Sequence, residues 1–276
     1  MPTLADMQAR YQQALEPLYG QREARTITQW VLEDVLHLQS VKLVMDRFLI
    51  LTSHQQEVLE DHLKRLLTHE PVQYVLGYAE FHGLNFKVDS SVLIPRPETE
   101  DLVDWVLSEI RPHASLIDIG TGSGCIPVSL KKARSDYIVS ALDISAAALA
   151  VARENAKLNN TEVLFTQLDI LAELPTGKYD VIVSNPPYIG YEEKNVMSDN
   201  VLKFEPHIAL FADDPLIFYK CIAAIAPQIL NDGGSVYIEI SEYRAAEVVA
   251  IFEQAGYQAE IKKDLTGRER MVKASR

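Results

Sequence analysis

Ser115-Leu-Ile-Asp-Ile-Gly-Thr-Gly-Ser-Gly124 decides the architecture of this 276-residue chain. A short apolar strand, Ser115–Ile119, runs without a break into a turn with glycines at 120, 122 and 124. Glycine lets the backbone turn sharply and approach a ligand with no Cβ in the way. Such a turn, at the carboxyl end of a strand and ahead of a helix, is where open α/β sheets bind nucleotides. About 20 residues further on, Asp143 ends the next strand, placed to accept hydrogen bonds from two ribose hydroxyls.

A dinucleotide dehydrogenase also carries a glycine-rich turn, but three details favour S-adenosylmethionine as the ligand. The spacing is Gly-x-Gly-x-Gly, a turn suited to a ligand without pyrophosphate, with Thr121 and Ser123 between the glycines as further contacts. Asp118 precedes the loop, where it can face the ligand's cationic amino-acid end. Asp169 closes the strand after Asp143, a position suited to the exocyclic amine of adenine.

Outward from this strand the texture alternates. Candidate strands are Ser115–Ile119, Ile138–Asp143, Val163–Gln167, Val181–Ser184 and Ser235–Ile240, with helical stretches such as Ala146–Asn159 and Ile217–Leu230 between them. Short apolar runs separated by helices indicate a parallel sheet covered on both faces. Gln258–Lys273 is expected to add an antiparallel edge. The fold class is therefore α/β, a Rossmann-like, mostly parallel sheet with an antiparallel edge strand.

The first 70 or so residues read as a small helical bundle. Glu23–Leu38 places Ile27, Val31, Leu32, Val35 and Leu36 at helical spacing. A second helix is expected to open at Ser53 with a Ser-x-x-Gln capping box through Gln56, and to carry Val58, Leu59, Leu63, Leu66 and Leu67 on one stripe. Glu70-Pro71 ends the helical region, and Tyr78–Val88 reads as a hairpin turning at His82-Gly83. Pro97 suits an early helical position, and Glu98 and Glu100 suit a first turn.

Asn185-Pro-Pro-Tyr188 follows Val181-Ile-Val-Ser184 directly, at the end of the fourth strand, which in this layout lies beside the first. An amide nitrogen is a poor nucleophile because its lone pair is delocalised into the carbonyl. Holding its two N–H groups so that the lone pair faces a methyl donor requires two fixed acceptors. The Asn185 side-chain oxygen and the Pro186 carbonyl can serve, since proline fixes φ, donates no N–H and holds the preceding residue extended. Tyr188 can pack over the planar group as a pocket wall. Because the methyl donor is already activated, positioning is the main task, and oriented reactants gain on the order of 7–11 kcal/mol.

These motifs, with Glu70-Pro-Val-Gln-Tyr-Val-Leu-Gly77, Glu80-Phe-His-Gly83, Leu93-Ile-Pro-Arg-Pro-Glu-Thr-Glu100 and Phe204-Glu-Pro206, resemble the release-factor glutamine methyltransferases (the HemK/PrmC family) over most of the chain. The resemblance implies a class I methyltransferase sheet. It also implies methylation of the Gly-Gly-Gln glutamine, at its side-chain nitrogen N5, in class 1 peptide chain release factors. Carried over by position, the cofactor meets Gly120 to Gly124, Asp143, Ile170 and Asn185. The glutamine meets Asn185, Pro186, Pro187 and Tyr188, with Arg96 and Glu98 bordering the site. The implied division is a helical substrate-docking domain over 1–72, a hairpin linker over 73–94 and a catalytic domain over 95–276. Two positions depart from the pattern: Ile170 stands where some members carry an aromatic residue, and Pro215 where a glycine is usual.

Bulk properties narrow the partners. A formal net charge of −13, with 7 Lys+Arg against 10 Asp+Glu in the first 70 residues, provides no basic face for long nucleic acid. Two distant cysteines and scattered histidines indicate neither a disulfide nor a metal site. No signal peptide or membrane span is evident, so a monomeric cytoplasmic enzyme without membrane contact is expected. The competing readings are a glutamine methyltransferase of a ribosomal protein, a nucleic-acid N-methyltransferase acting on adenine N6 or guanine N2, and a cofactor-binding module without catalysis.

Overall fold

A computed structural model describes residues 2–196 and 198–276. In chain order the helices are α1 (Leu4–Leu36), α2 (Ser40–Met45), α3 (Ser53–Leu66) and α4 (Val72–Leu76). The hairpin β1 (Tyr78–Phe81) and β2 (Leu84–Lys87) follows, then α5 (Pro97–Glu109), β3 (Ser115–Ile119), α6 (Cys125–Ala133), β4 (Ile138–Asp143), α7 (Ala146–Leu158) and β5 (Leu164–Gln167). The rest is β6 (Tyr179–Ser184), β7 (Ile189–Gly190), α8 (Asp199–Phe204), α9 (His207–Leu210), β8 (Phe211–Ala212), α10 (Ile217–Ile229), β9 (Leu230–Glu239), α11 (Ala245–Gln254), β10 (Gln258–Lys263) and β11 (Glu269–Ser275).

The chain divides into two compact units. The first runs to Gly77 and takes in Ser198–Phe204. It has a core of its own, in which Ile27, Val31, Leu32 and Leu36 of α1 are buried with Leu59, Leu63 and Leu66 of α3. The Glu23–Leu38 stripe thus belongs to a longer helix of 33 residues, interrupted at Gly20, whose φ of 76° breaks the helical path. The cap of α3 lies one residue earlier than the Ser53–Gln56 expectation. Thr52 has the extended backbone an N-cap needs, and its hydroxyl accepts from Gln55 N–H while Gln55 Oε1 accepts from Thr52 N–H. Gln56 instead donates to the Leu51 carbonyl at 2.8 Å.

The second unit, Tyr78–Met197 with Glu205–Arg276, is built on a seven-stranded sheet of order β10-β11-β9-β6-β3-β4-β5. The pairs β9-β6, β6-β3, β3-β4 and β4-β5 are parallel. The C-terminal segment supplies the expected antiparallel edge, made of two strands, β11 against β9 and β10 against β11. One reason is local: Asp264 accepts from the N–H groups of Thr266 and Arg268, closing a tight turn that doubles the chain back. Each face of the sheet carries its own core. One is covered by α10 and α11 with Tyr219, Ile222, Val248 and Phe252, the other by α5 and α6 with Leu102, Val106, Ile126 and Val128. Burying each such side chain is worth about 1.5–3 kcal/mol. No helix among the described residues is long and apolar enough to cross a membrane.

From β3 the chain builds outward through β4 to β5, then crosses back to place β6 on the other side of β3. Such a reversal opens a crevice at the carboxyl ends of the strands, because the loops there diverge to opposite faces. Gly124 permits the approach of α6 to α7 beneath the crevice: its φ is 80°, and a Cβ there would lie 3.0 Å from that of Ala152. Asn155 of α7, fully buried, then ties the glycine loop to the hairpin. Its Oδ1 accepts from Lys87 N–H at 2.6 Å, and its Nδ2 donates to the carbonyls of Ser123 and Lys87 at 2.9 Å each. Asn155→Ala leaves three backbone groups without these partners, each costing about 1–3 kcal/mol if buried and unsatisfied. The expected outcome is a melting temperature lower by more than about 5 °C in a thermal melt.

Candidate active site

The crevice holds a cavity of about 280 Å³ lined from several loops at once. Gly120, Thr121, Gly122 and Ser123 form one wall, Asp143 and then Asp169 and Ile170 follow at the ends of β4 and beyond β5, and Asn185, Pro186 and Pro187 come from the end of β6. Arg96 lines it too, with Leu93 and Pro95 of the preceding loop. Four residues expected at the site stand apart from this lining: Asp118, Gly124, Glu98 and Tyr188. Asp118 lies in β3 just before the glycine turn, Gly124 caps the start of α6, and Glu98 sits on the first turn of α5.

At the nucleotide end, Asp143 is oriented by the backbone. Its Oδ2 accepts from Gly122 N–H and its Oδ1 from Ser145 N–H, both at 2.8 Å, which leaves one lone pair on each oxygen for a diol. Burial raises its carboxyl above the usual range. Asp118, 1% exposed, has no hydrogen-bond partner for either carboxylate oxygen among the described residues. Burial pushes it up to about 7, the neighbouring Thr121 hydroxyl, just outside hydrogen-bond geometry, pulls it back in part, and Asp143 adds like-charge repulsion. An unpaired buried carboxylate is costly, and the raised pKa is how that cost is expressed. Ile170, 7% exposed, offers an apolar surface, and its carbonyl accepts from Cys221 Sγ at 3.2 Å.

At the other end, Ser184 donates its hydroxyl hydrogen to the Ile119 carbonyl at 2.7 Å, locking the ends of β6 and β3 together. Asn185 donates through Nδ2 to Thr99 Oγ1 at 3.1 Å, and Thr99 donates to Glu239 Oε2 at 2.6 Å. Tyr188 donates its hydroxyl to the other Glu239 oxygen at 3.3 Å. Glu239 is 2% exposed, and burial pushes its carboxyl up to about 7. Arg96 is held by Glu205, which is almost fully buried: the guanidinium donates to Oε1 at 2.6 Å, while Oε2 accepts from Ile94 N–H at 3.3 Å. Glu205 therefore fixes the loop that carries Leu93, Pro95 and Arg96.

Thr99, Glu239 and the role of Glu205 were missed by motif reading. A signal existed for Glu239. A strand of a parallel sheet buried on both faces reads as continuous apolar sequence, and Val236-Tyr-Ile-Glu-Ile240 is interrupted by a single acid.

A mostly parallel sheet with a ligand crevice at its switch point, a carboxylate at the end of β4 and Asn-Pro-Pro-Tyr at the end of β6 define a Rossmann-like methyltransferase. A family model described as Methyltransferase small domain matches residues 100–204, and one described as PrmC N-terminal domain matches residues 6–77. A release factor glutamine methyltransferase of Bacteroides thetaiotaomicron is 40% identical over 273 residues, covering 97% of this chain and 98% of that protein. Another, of Streptococcus pneumoniae, is 44% identical over 227 residues, 81% of each chain. The chain belongs to the release factor glutamine methyltransferase family. Among solved structures, a methyltransferase from Pyrococcus furiosus shares the fold with a TM-score of 0.54 at 20% identity, covering 81% of this chain and 98% of that one.

The buried acids have a measurable consequence. A carboxyl whose folded pKa lies near 7, against about 3.9–4.3 when unfolded, binds more protons in the native state between those values. Stability contributed by that proton is therefore lost as pH rises from about 4 through 7. Asp118 faces Asp143, and Glu239 faces Thr99, Tyr188, Arg270 and Glu98, so both act in this window. Asp136, Asp180 and Asp264, held near 2 by hydrogen bonds, titrate below it. The melting temperature of the ligand-free chain is expected to fall between pH 5 and pH 8. In Asp118→Asn that slope should flatten, and the difference between the two chains cancels His62, whose burial acts in the opposite direction.

Proposed function

We propose that this chain transfers a methyl group from S-adenosylmethionine to the N5 side-chain nitrogen of the Gly-Gly-Gln glutamine in class 1 peptide chain release factors, supporting translation termination in the cytoplasm. The observation that carries the reading is the state of Asn185. Its amide nitrogen is engaged by Thr99, which leaves Oδ1 unspent, and both Asn185 and Pro186 line the cavity.

The cavity suits this cofactor on its own chemistry. Asp143 keeps lone pairs for the two ribose hydroxyls, and Ile170 offers an apolar face to adenine with Asp169 near its amine. When bound, S-adenosylmethionine supplies a sulfonium methyl already activated for transfer. The residues of this chain then have to hold the glutamine amide: Asn185 Oδ1 and the Pro186 carbonyl accept its two N–H groups and turn the nitrogen lone pair toward the donor. Proline at 186 and 187 keeps these acceptors rigid, which is where most of the rate gain from orientation lies. No general base is required beforehand, because the proton becomes acidic once the nitrogen is alkylated.

Residues 1–72 act as the substrate-docking domain, 73–94 as the hairpin linker and 95–276 as the catalytic domain. Support for a docking role comes from Val44, Met45 and Phe48, which are 70% or more exposed although apolar. The enzyme acts as a monomer and forms no stable complex with nucleic acid, in keeping with its net charge of −13.

The test is transfer from methyl-labelled S-adenosylmethionine to a purified release factor, beside the same factor with its Gly-Gly-Gln glutamine changed to alanine. Peptide mass spectra should place one methyl on that glutamine and none on the variant. Asn185→Ala should lower kcat by about a hundredfold to a thousandfold, the range seen when one polarising hydrogen bond is removed from an active site. Methyl transfer to a ribosomal protein or to RNA, with none to the release factor, would overturn the substrate assignment.

A further inference from the structure

Both oxygens of Glu239 are committed to the acceptor motif and its support: one accepts from Thr99, whose own oxygen accepts from Asn185, and the other accepts from Tyr188. A charge at this depth of an apolar strand is expensive, and an aliphatic residue would suit the sheet better. The direction of the hydrogen-bond chain explains its presence. A threonine hydroxyl has a single hydrogen. With that hydrogen spent on the Glu239 carboxylate at 2.6 Å, Thr99 Oγ1 can only accept, so it selects the NH2 end of the Asn185 amide. The carbonyl end is the one left for the cavity. Were the hydroxyl free to rotate, it could donate to Asn185 Oδ1, and the amide would turn its NH2 outward. A donor would then meet the donors of a substrate amide.

We infer that Glu239 and Thr99 are positioning residues for methyl transfer, Glu239 setting the direction of the Glu239–Thr99–Asn185 chain and so holding the Asn185 carbonyl oxygen toward the substrate. The same carboxylate restrains Tyr188, so the first and last residues of Asn-Pro-Pro-Tyr are tied to one buried group. The inference rests on reading Asn185 as the acceptor for the substrate amide.

Three variants test it against the parent enzyme on a purified release factor, at a pH well above the Glu239 value of about 7 so that the carboxylate is ionised and can only accept. Thr99→Val keeps the shape and removes the hydroxyl, Thr99→Ser keeps the hydroxyl and removes the methyl group, and Glu239→Met removes the charge while filling the space. Thr99→Val and Glu239→Met should each lower kcat about a hundredfold. KM for the release factor and calorimetric affinity for S-adenosylmethionine should stay within about threefold of the parent. Thr99→Ser should keep kcat within about threefold, and the double variant Thr99→Val/Glu239→Met should lose no more than about twofold beyond either single one, because the residues act as one unit.

Equal losses in Thr99→Ser and Thr99→Val would overturn the inference, since packing and not the hydroxyl would then matter. So would a Glu239→Met enzyme with kcat within threefold of the parent. A second readout needs no turnover. The Asn185 side-chain NH2 signal, identified by its disappearance in Asn185→Asp, should exchange with solvent at least about tenfold faster in Thr99→Val; an unchanged rate would sink the relay. If the parent methylates no glutamine, the proposed function falls, and the exchange measurement still judges the hydrogen-bond chain.

Discussion

Two loops that must meet at one reaction centre leave the sheet from neighbouring strands, and a single buried hydrogen bond holds those strand ends together. Ser184 donates to the carbonyl of Ile119, so the residue before Asn185 is fastened to the residue before Gly120. The parallel register of β3 and β6 pairs the same two residues. The glycine turn and Asn-Pro-Pro-Tyr therefore start from a common origin. Side chains further along either loop inherit their places from it, since each proline in the second loop removes most of the remaining freedom.

Around that origin lie three buried carboxylates in three different situations. Glu205 is neutralised by Arg96 and holds a loop whose residues line the cavity. Glu239 is spent on the hydroxyls of Thr99 and Tyr188 and directs an amide. Asp118 has no hydrogen-bond partner among the described residues. Paired charge stiffens the frame, hydroxyl-bound charge sets a direction, and unpaired charge is met by a raised pKa. A site meant to orient a weak nucleophile needs the first two kinds of group more than it needs a strong base.

The details absent from the sequence reading share a cause. The Thr52 cap and the Ser53 alternative differ by one residue in a stretch, Thr52-Ser-His-Gln-Gln56, where either hydroxyl has a glutamine three positions on. Backbone geometry alone chooses between them. Gln258–Lys273 forms the antiparallel edge it was expected to form, and nothing in its periodicity marks the Asp264 turn that divides it into two strands. Tyr188, expected to pack over the planar substrate group, has a further tie that no motif marks. In the fold its hydroxyl finds Glu239, a residue 51 positions away whose proximity no local pattern reports.

Strand Ser115–Ile119, the glycine turn, Asp143 and Asn-Pro-Pro-Tyr were legible directly from the chain. Each rests on local physics: period and apolarity make the strands, positive φ calls for glycine, and proline fixes the acceptor carbonyl. The residues that orient these groups were not legible in this way. Thr99, Glu205 and Glu239 act through partners 86, 109 and 140 residues away. Their hydrogen bonds exist only because β9 packs beside β6 and the start of α5 lies over the strand ends. Hydrogen bonds are short-ranged and directional, so which hydroxyl meets which carboxylate is settled by packing, after the chemistry of the motifs has already been written.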